Sequence, residues 1–262
     1  MKIVVCVKQV PDPDATLGIA ADRSWIVESG VNFQINDYDR YALEEALRLK
    51  DAAGGEVVAL TLGPERAAQA LKTCLATGAD RAVHLRDEAF LGGDPWCTAT
   101  ALAAAARAEA LDLILCGLQA DDDNLAQTPV LMAEILGLPH ATAVMKLELR
   151  DGGVRLEREL EGDRREVLDL PLPALLTVQT GINEPRYASI KGIMAAKKKE
   201  LKSPGPADLG LDPARLGRAG ARLTLSNLAP PPRKEAAELL SGPPDQVAAE
   251  IVRRIRESTG LV

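Results

Sequence analysis

The sequence KIVVCVK, residues 2–8, is a run of apolar and mostly β-branched residues bounded by two lysines, and it predicts a strand buried on both faces. Similar runs follow: EVVALTL at 56–62, RAVHL at 81–85 and LDLILCG at 111–117. Stretches with the helical spacing of apolar residues separate them. This alternation of strands and helices predicts a parallel sheet covered by helices.

Four helices are predicted in this part of the chain, at about residues 37–50, 65–77, 95–109 and 129–136. Their ends carry recognisable capping residues. The expected N-caps are Asn36 or Asp37, Asp94, and Thr128, and a proline follows each of the last two. Gly78 and Gly137 are expected to end two of the helices in the left-handed conformation.

A period-two alternation replaces the helical spacing after Ala141. The segments MKLELR, VRLERELEG and REVLDL alternate around Gly152–Gly153 and Gly162–Asp163, which is typical of strands joined by hairpins. A further strand is predicted at 173–180, and a loop that leads into a short helix at 183–199. The composition then shifts to Pro, Gly and Ala before a closing amphipathic helix at about 244–258.

These patterns predict an α/β fold. We expect a doubly wound, mostly parallel, Rossmann-like sheet of the adenine nucleotide-binding kind, with an antiparallel portion and an extended C-terminal arm. Residues 1–200 are expected to form the nucleotide-binding domain. Residues 201–262 are expected to form an arm and a helix with little core of their own, so that they need a partner to lie on.

Composition and charge exclude several classes of function. Apolar residues make up 47% of the chain but aromatic residues only 3%, which suits helices packed on a buried sheet. The net charge is −7, and no basic stripe is interleaved with aromatic residues, so nucleic acid is not an expected partner. No apolar run approaches the roughly 18 residues of a membrane span, and no signal peptide is evident. The four cysteines lack a CxxC pair, so we expect free thiols in a cytoplasmic or matrix-like compartment.

A ligand site is predicted where the first strand and the 111–117 strand end side by side, because ligands bind where a doubly wound sheet reverses its winding direction. The loop GLQADDDNLAQT, residues 117–128, then leads into a helix whose free amides and positive dipole end suit a phosphate. We expect the carboxylates of Asp121 to Asp123 to point away from that anion. The alternative is a solvated turn that starts the helix and binds nothing.

Motifs for other chemistries are absent from the sequence. It contains no GxxxxGK[ST] loop, no GxGxxG, no metal-ligand spacing and no nucleophile elbow. His84 and His140 are expected to be structural rather than catalytic. We therefore predict no catalytic residue and no metal site.

Four ordered motifs resemble the electron transfer flavoprotein beta-subunit family. They are VVCVKQVPD at 4–12, INDYDRYALEEALRLK at 35–50, QADDDNLAQT at 119–128 and NEPRYASIKGIMAAKKK at 183–199. The resemblance covers about residues 1–202, and the last motif is the most specific. It implies a heterodimer in which an alpha subunit holds most of a redox-active FAD, packs against the C-terminal arm and shares the flavin with this chain. It also implies an adenine nucleotide, usually AMP, bound in this chain.

The resemblance assigns residues to two sites. The matching cofactor-binding positions are Cys6, Asn36, Asp37, Tyr38, Asp39, Leu62, Gly117, Gln119, Ala120, Asp121, Asp122, Asp123, Asn124, Gln127 and Thr128, with Tyr38 near the alpha-bound flavin. The matching partner-recognition positions are Pro185, Arg186, Tyr187, Ile190, Ile193, Met194, Lys197 and Lys198, with Ile190 inserting into a pocket on the partner. Expected partners are acyl-CoA dehydrogenases or other flavoprotein donors and the electron transfer flavoprotein-quinone oxidoreductase.

Departures from the family pattern leave the identity of the bound nucleotide open, and three functions are considered. Asp121 stands where many relatives carry an apolar residue, and Leu125 and Ala126 also differ from common choices. The first function is that of an electron carrier subunit with AMP, which is not a stand-alone enzyme. The second is an electron-bifurcating beta subunit that binds its own FAD and oxidises NADH. The third is an ATP-sensing or adenylyl-transfer module of related topology.

Overall fold

The structure is a computed structural model that describes residues 1–232 and 237–260. Within them the strands are β1 (Lys2–Cys6), β2 (Gln9–Pro11), β3 (Gly18–Ile19), β4 (Ile26–Val27), β5 (Phe33–Ile35), β6 (Glu56–Leu62), β7 (Arg81–Leu85), β8 (Leu113–Gly117), β9 (His140–Arg150), β10 (Gly153–Leu160), β11 (Arg164–Pro171), β12 (Ala174–Val178) and β13 (Leu201–Lys202). The helices are α1 (Asp37–Ala53), α2 (Ala68–Thr77), α3 (Pro95–Arg107), α4 (Thr128–Leu136), α5 (Ile190–Ala196), α6 (Gly217–Gly220) and α7 (Pro244–Thr259).

One large sheet organises the described residues, with its strands in the order β11-β10-β9-β12-β8-β1-β6-β7-β13. The strands from β9 across to β13 pair in parallel, whereas β9, β10 and β11 pair with one another antiparallel. The predicted α/β fold, its mostly parallel sheet and its antiparallel portion are therefore confirmed.

Helices cover both faces of the parallel strands. Ile3 and Val5 of β1 pack on one side with apolar residues of α1 and α2, and Val4 and Cys6 pack on the other with residues of α3 and α4. Successive side chains of a strand point to opposite faces, so a strand between two helical layers is apolar at nearly every position. This explains why residues 3–6 are all buried.

The predicted helix ends are only partly correct. Asp94 accepts a hydrogen bond from the Cys97 amide at the start of α3, and Gly137 ends α4 in the left-handed conformation, as expected. Thr128 is the first residue of α4 and Gln127 holds the N-cap position, so the predicted Thr128 cap is wrong. Gly78 ends α2 at φ 153° and ψ −9°, outside the left-handed helical conformation, and a Cβ there would lie 2.9 Å from a Leu47 methyl.

The C-terminal part begins against the sheet. Leu201–Lys202 forms β13 beside β7, and Leu216 is buried in the core beneath α3. None of the residues of α7 is buried, by contrast. The division at residue 200 and the packing of an arm over 201–262 on a partner stay predictions, and residues 233–236 and 261–262 of that arm lie outside the described residues. In the part of the chain that is described, no helix combines the length and apolar character needed to cross a bilayer.

Candidate functional site

The site lies at the carboxyl ends of β1 and β8, which are neighbours in the sheet. The chain passes from β1 through β6 to β7 on one side, then returns to β8 and continues to β12 on the other. The winding direction therefore reverses between β1 and β8, where open α/β sheets place their ligands. The strand order predicted for this point is confirmed.

Asp39 joins the two strand ends at this point. Its Oδ2 accepts a hydrogen bond from the Lys8 amide at 2.7 Å, and its Oδ1 accepts one from the Gly117 amide at 3.0 Å. Burial raises the pKa of the Asp39 carboxyl to about 7, even though both amide donors favour the charged form. The Asp39 carboxylate therefore holds the backbone at the ends of β1 and β8 together, and it does not face the space that a ligand would occupy.

Asn36 connects α1 to the loop that follows β8. The side-chain Nδ2 of Asn36 donates to the Gln119 carbonyl at 2.8 Å, and its Oδ1 accepts from the backbone amide of Asp121 at 3.0 Å. Asn36 holds the N-cap position of α1 as predicted, but it makes no side-chain capping bond because these loop contacts use its polar atoms. The Asp121 carboxylate accepts a 3.2 Å hydrogen bond from the Asp37 amide instead.

Lys8 accounts for the other two carboxylates of the loop. Its Nζ donates to Asp122 at 2.7 Å and to Asp123 at 2.9 Å. Burial lowers the pKa of Lys8, but the two carboxylates outweigh burial and the pKa is raised. Two of the three negative charges are thus paired with Lys8, which is absent from the predicted site residues although it lies two residues beyond the end of β1.

The start of α4 is open to a ligand. No side chain caps its first turn, and residues 121–127 are exposed. Asn124 and Ala126 adopt positive φ angles of 51° and 53°, so the loop turns sharply before the helix begins. A helix start without a capping side chain leaves backbone amides for a phosphate oxygen.

The remaining predicted cofactor residues surround the same strand ends. Tyr38 is half-buried and its hydroxyl accepts a 3.4 Å hydrogen bond from the side-chain Nε2 of Gln119. Leu62 ends β6 and is half-buried, and Cys6 ends β1 and is buried. The structure therefore brings together residues 6, 36–39, 62 and 117–128, while their contacts with a nucleotide stay a prediction.

The predicted partner-recognition residues lie on a separate surface around α5. The exposed apolar side chains are Tyr187 at 85%, Ile190 at 84%, Ile193 at 49% and Met194 at 60%. Pro185 is half-buried, and Lys197 and Lys198 are exposed. Residues 183–199, here called the recognition segment, form a surface feature, because only Asn183 among them is buried.

Metal-binding side chains and His84 were the other candidates for a site. No group of His, Cys, Asp and Glu there has the arrangement of a metal site. His84 is buried, its Nε2 lies 3.0 Å from the Gly63 carbonyl, and burial lowers its pKa. Its Nδ1 has no hydrogen-bond partner in the described part of the chain.

Comparison with known proteins gives the family. Residues 24–209 match the model of the electron transfer flavoprotein domain. The chain is 35% identical over 264 residues to the electron transfer flavoprotein subunit beta of Methylophilus methylotrophus, covering 99% of this chain and 100% of that one. It is 37% identical over 263 residues to the electron transfer flavoprotein subunit beta of Bacillus subtilis, covering 100% of each. It is 36% identical over 260 residues to the caffeyl-CoA reductase-Etf complex subunit CarD of Acetobacterium woodii, covering 98% of each.

These matches extend over nearly the whole chain and include the strands, the loop after β8 and the recognition segment. Membership makes the protein part of an electron-transport flavoprotein and implies an alpha subunit as its partner. The chain belongs to the electron transfer flavoprotein family, as a beta subunit.

Proposed function

We propose that this beta subunit, together with an alpha subunit that holds FAD, carries electrons from acyl-CoA dehydrogenase-type flavoenzymes to an electron transfer flavoprotein-quinone oxidoreductase. The observation that carries the proposal is the recognition segment, whose Ile190 side chain is 84% exposed beside the exposed Ile193 and Met194. Contiguous exposed apolar side chains ringed by charge are typical of a docking anchor.

The proposal includes AMP in the site between β1 and β8. Its support is the start of α4, where no side chain caps the backbone amides, and the pairing of Asp122 and Asp123 with Lys8, which lessens their repulsion of a phosphate. We assign the phosphate to the amides near Thr128, and the adenosine to the strand ends at Cys6 and Leu62. Bound there, the nucleotide would join α1, β1 and the loop after β8.

The small-molecule content of the heterodimer tests this part of the proposal. The purified complex is denatured, and the released compounds are identified by mass and counted per heterodimer. We expect one FAD and one AMP. A stable complex without any flavin would contradict the electron-transfer function, and a complex with one FAD and no adenine nucleotide would contradict the site between β1 and β8.

Ile190→Ala tests the docking anchor. The change removes most of an exposed apolar side chain, so electron delivery from a dehydrogenase should slow at limiting donor concentration while heterodimer assembly and nucleotide content stay the same. Val167→Ala is the matched control, because Val167 is a half-exposed apolar residue on β11, outside the recognition segment. An unchanged rate for Ile190→Ala would remove Ile190 from the docking surface.

One observation favours the electron-bifurcating alternative, in which this chain binds its own FAD and oxidises NADH. A relative with 36% identity is a subunit of a caffeyl-CoA reductase-Etf complex. Two FAD per heterodimer, reduced by NADH, would establish bifurcation and exclude AMP from the site. Family membership favours both electron-transfer functions over an ATP-sensing or adenylyl-transfer module.

The C-terminal arm completes the proposal as the surface that holds the alpha subunit. Its support is α7, which is amphipathic in sequence and leaves Ile251, Val252 and Ile255 about half exposed. Because Leu216 belongs to the core, the truncated chain should keep residues 1–221 and lack only the part of the arm after Ala221. We expect that truncated chain to stay folded but to lose co-purification with the alpha subunit, and retained co-purification would contradict the assignment.

We also propose a cytoplasmic or matrix-like location. Its support is the four cysteines, which are all free and buried, as in proteins of reducing compartments. Cell fractionation followed by detection of the chain tests it, and recovery in the secreted fraction would contradict it.

A further inference from the structure

The guanidinium of Arg186, in the recognition segment, forms hydrogen bonds with carboxylates of its own chain. Its Nε and Nη2 donate to the two oxygens of Glu44 at 2.8 and 3.1 Å, and its backbone amide donates to the same carboxylate at 3.1 Å. Its Nη1 donates to Asp51 at 2.9 Å. A bidentate arginine–carboxylate pair fixes orientation as well as distance. The side chain therefore points toward α1, while 38% of it stays exposed.

Glu44 is placed to hold this pair firmly. Its side chain is only 4% exposed, although it is charged and lies on α1. Burial raises the pKa of the Glu44 carboxyl, but the hydrogen bonds from Arg186 outweigh it and the pKa is lowered. Arg48 also donates to Glu44, so the loss of Arg186 removes part of the pairing of this buried carboxylate, which is costly.

Two further contacts hold the same segment. Asn183 donates through its amide to the Tyr41 carbonyl at 3.1 Å and to Glu45 at 2.9 Å, also on α1. Lys199 at the other end donates to the carbonyls of Leu75 and Ala79, at 2.8 and 2.6 Å, where α2 ends. The exposed apolar side chains within residues 187–194 therefore project from a segment that is held by hydrogen bonds at both ends.

The segment also rests closely on α2. A Cβ built on Gly192 would lie 2.2 Å from the Ala76 carbonyl oxygen, so only a glycine allows α5 to approach this far. Ser189 accepts a hydrogen bond from the Gly192 amide and so starts α5 at that contact. Fixed contacts to both α1 and α2 define the direction in which Ile190 points.

We propose that Glu44 and Arg186 form a clamp that holds the recognition segment in its docking conformation, which makes both of them positioning residues and not contacts to the electron donor. The inference rests on the proposed docking function. Preorganisation of an interface raises affinity because less conformational freedom is lost on binding. Without the clamp, the exposed apolar side chains of the recognition segment are still present, but the segment samples more conformations before it docks.

Arg186→Met in the full heterodimer tests the clamp through two independent measurements. The first is the rate of trypsin cleavage after the exposed Lys191, quantified by mass spectrometry, which reports on the segment without any donor. The second is reduction of the flavin by a medium-chain acyl-CoA dehydrogenase charged with octanoyl-CoA. We expect faster cleavage and a KM for the donor raised about tenfold, with kcat unchanged.

Two companion variants sharpen the result. Arg186→Lys keeps the charge but not the two parallel hydrogen bonds, so its cleavage rate and KM should lie between those of the wild type and Arg186→Met. Arg48→Met is the matched control, because Arg48 donates to the same Glu44 at 3.0 Å from within α1 and, among the described residues, forms no hydrogen bond with the segment. It should leave both measurements near the wild-type values.

Other outcomes overturn the inference. A raised KM with unchanged cleavage means that Arg186 contacts the donor directly, and unchanged values of both mean that it does not act as a clamp. If Arg186→Met fails to fold, Glu44→Gln replaces it, with the same expected results and the same contradicting ones. Failure of the docking function itself is recognised separately, because Ile190→Ala would then leave the KM unchanged while the cleavage measurement still reports on the clamp.

Discussion

Asp39→Asn is the change from which we expect the clearest physical signature. The Asp39 carboxylate accepts one hydrogen bond from the Lys8 amide and one from the Gly117 amide. An asparagine has a single acceptor oxygen, so one of the two amides would face the NH2 group. A buried unsatisfied donor costs about 1–3 kcal/mol, and we expect the free energy of unfolding to fall by that amount at pH 8, where Asp39 is ionised and accepts both hydrogen bonds.

The pH dependence of this loss carries the stronger test. Burial raises the pKa of Asp39 from 3.8 to about 7 in the folded chain, so the folded state binds a proton that the unfolded state releases. The contribution of this proton to the free energy of unfolding is fully present below about pH 4, and it is lost as the pH rises through 7. From this shift we calculate a change of about 3 kcal/mol between pH 5 and pH 8, which the asparagine variant cannot show.

Urea unfolding of the wild type and of Asp39→Asn at four pH values between 5 and 8 measures this difference. Asp37→Asn is the control, because Asp37 lies in the same turn and its side chain is about half exposed. The stability gap between wild type and Asp39→Asn should narrow as the pH rises, and the gap for the control should not change. A gap that is constant with pH, or that widens, would refute the argument that burial controls this carboxyl.

Three further changes test other parts of the structure. Gly117→Ala would place a Cβ 2.3 Å from the Asp39 carboxylate, so we expect a loss of about 1–3 kcal/mol in urea unfolding and a lower nucleotide content, and wild-type values of both would contradict this packing. Lys199→Met leaves two carbonyls without their amine donor and should lower the melting temperature, whereas the exposed Lys198→Met should have little effect; equal shifts would contradict the assignment. Lys8→Met leaves two carboxylates unpaired and should weaken nucleotide binding in calorimetry, most at low salt, and unchanged affinity would show that the pair does not matter.

Local patterns in the sequence were sufficient for the main strands and helices of the large sheet, but they did not predict the short elements β2 to β5, β13 and α6. EVVALTL and RAVHL coincide with β6 and β7, because a strand covered on both faces is apolar at most of its positions. The period-two alternation after Ala141 predicted the antiparallel strands, because a strand with one covered face alternates between apolar and polar residues. The helix ends were less predictable, since Asn36 and Thr128 have good capping chemistry but the structure uses them differently.

The candidate site shows where such patterns stop being informative. The motif at 119–128 indicated a loop at the switch point, and residues 183–199 indicated an exposed docking tip, since both are contiguous in the chain. Lys8 did not stand out, because a lysine after a strand is ordinary and its partners lie 114 and 115 residues away. Glu44 is one of several charged residues in the sequence of the predicted 37–50 helix, and nothing in that pattern distinguishes it, yet it is buried.

The order of strands, helices and motifs, and with it the family of the protein, could be read directly from the chain. The contacts that shape both surfaces could not: Asp39 to Gly117 spans 78 residues and Arg186 to Glu44 spans 142. Such pairs depend on which strands become neighbours and on the register between them. Hydrophobic periodicity reports which face of an element is buried, and it carries no information about which distant side chain will meet that face.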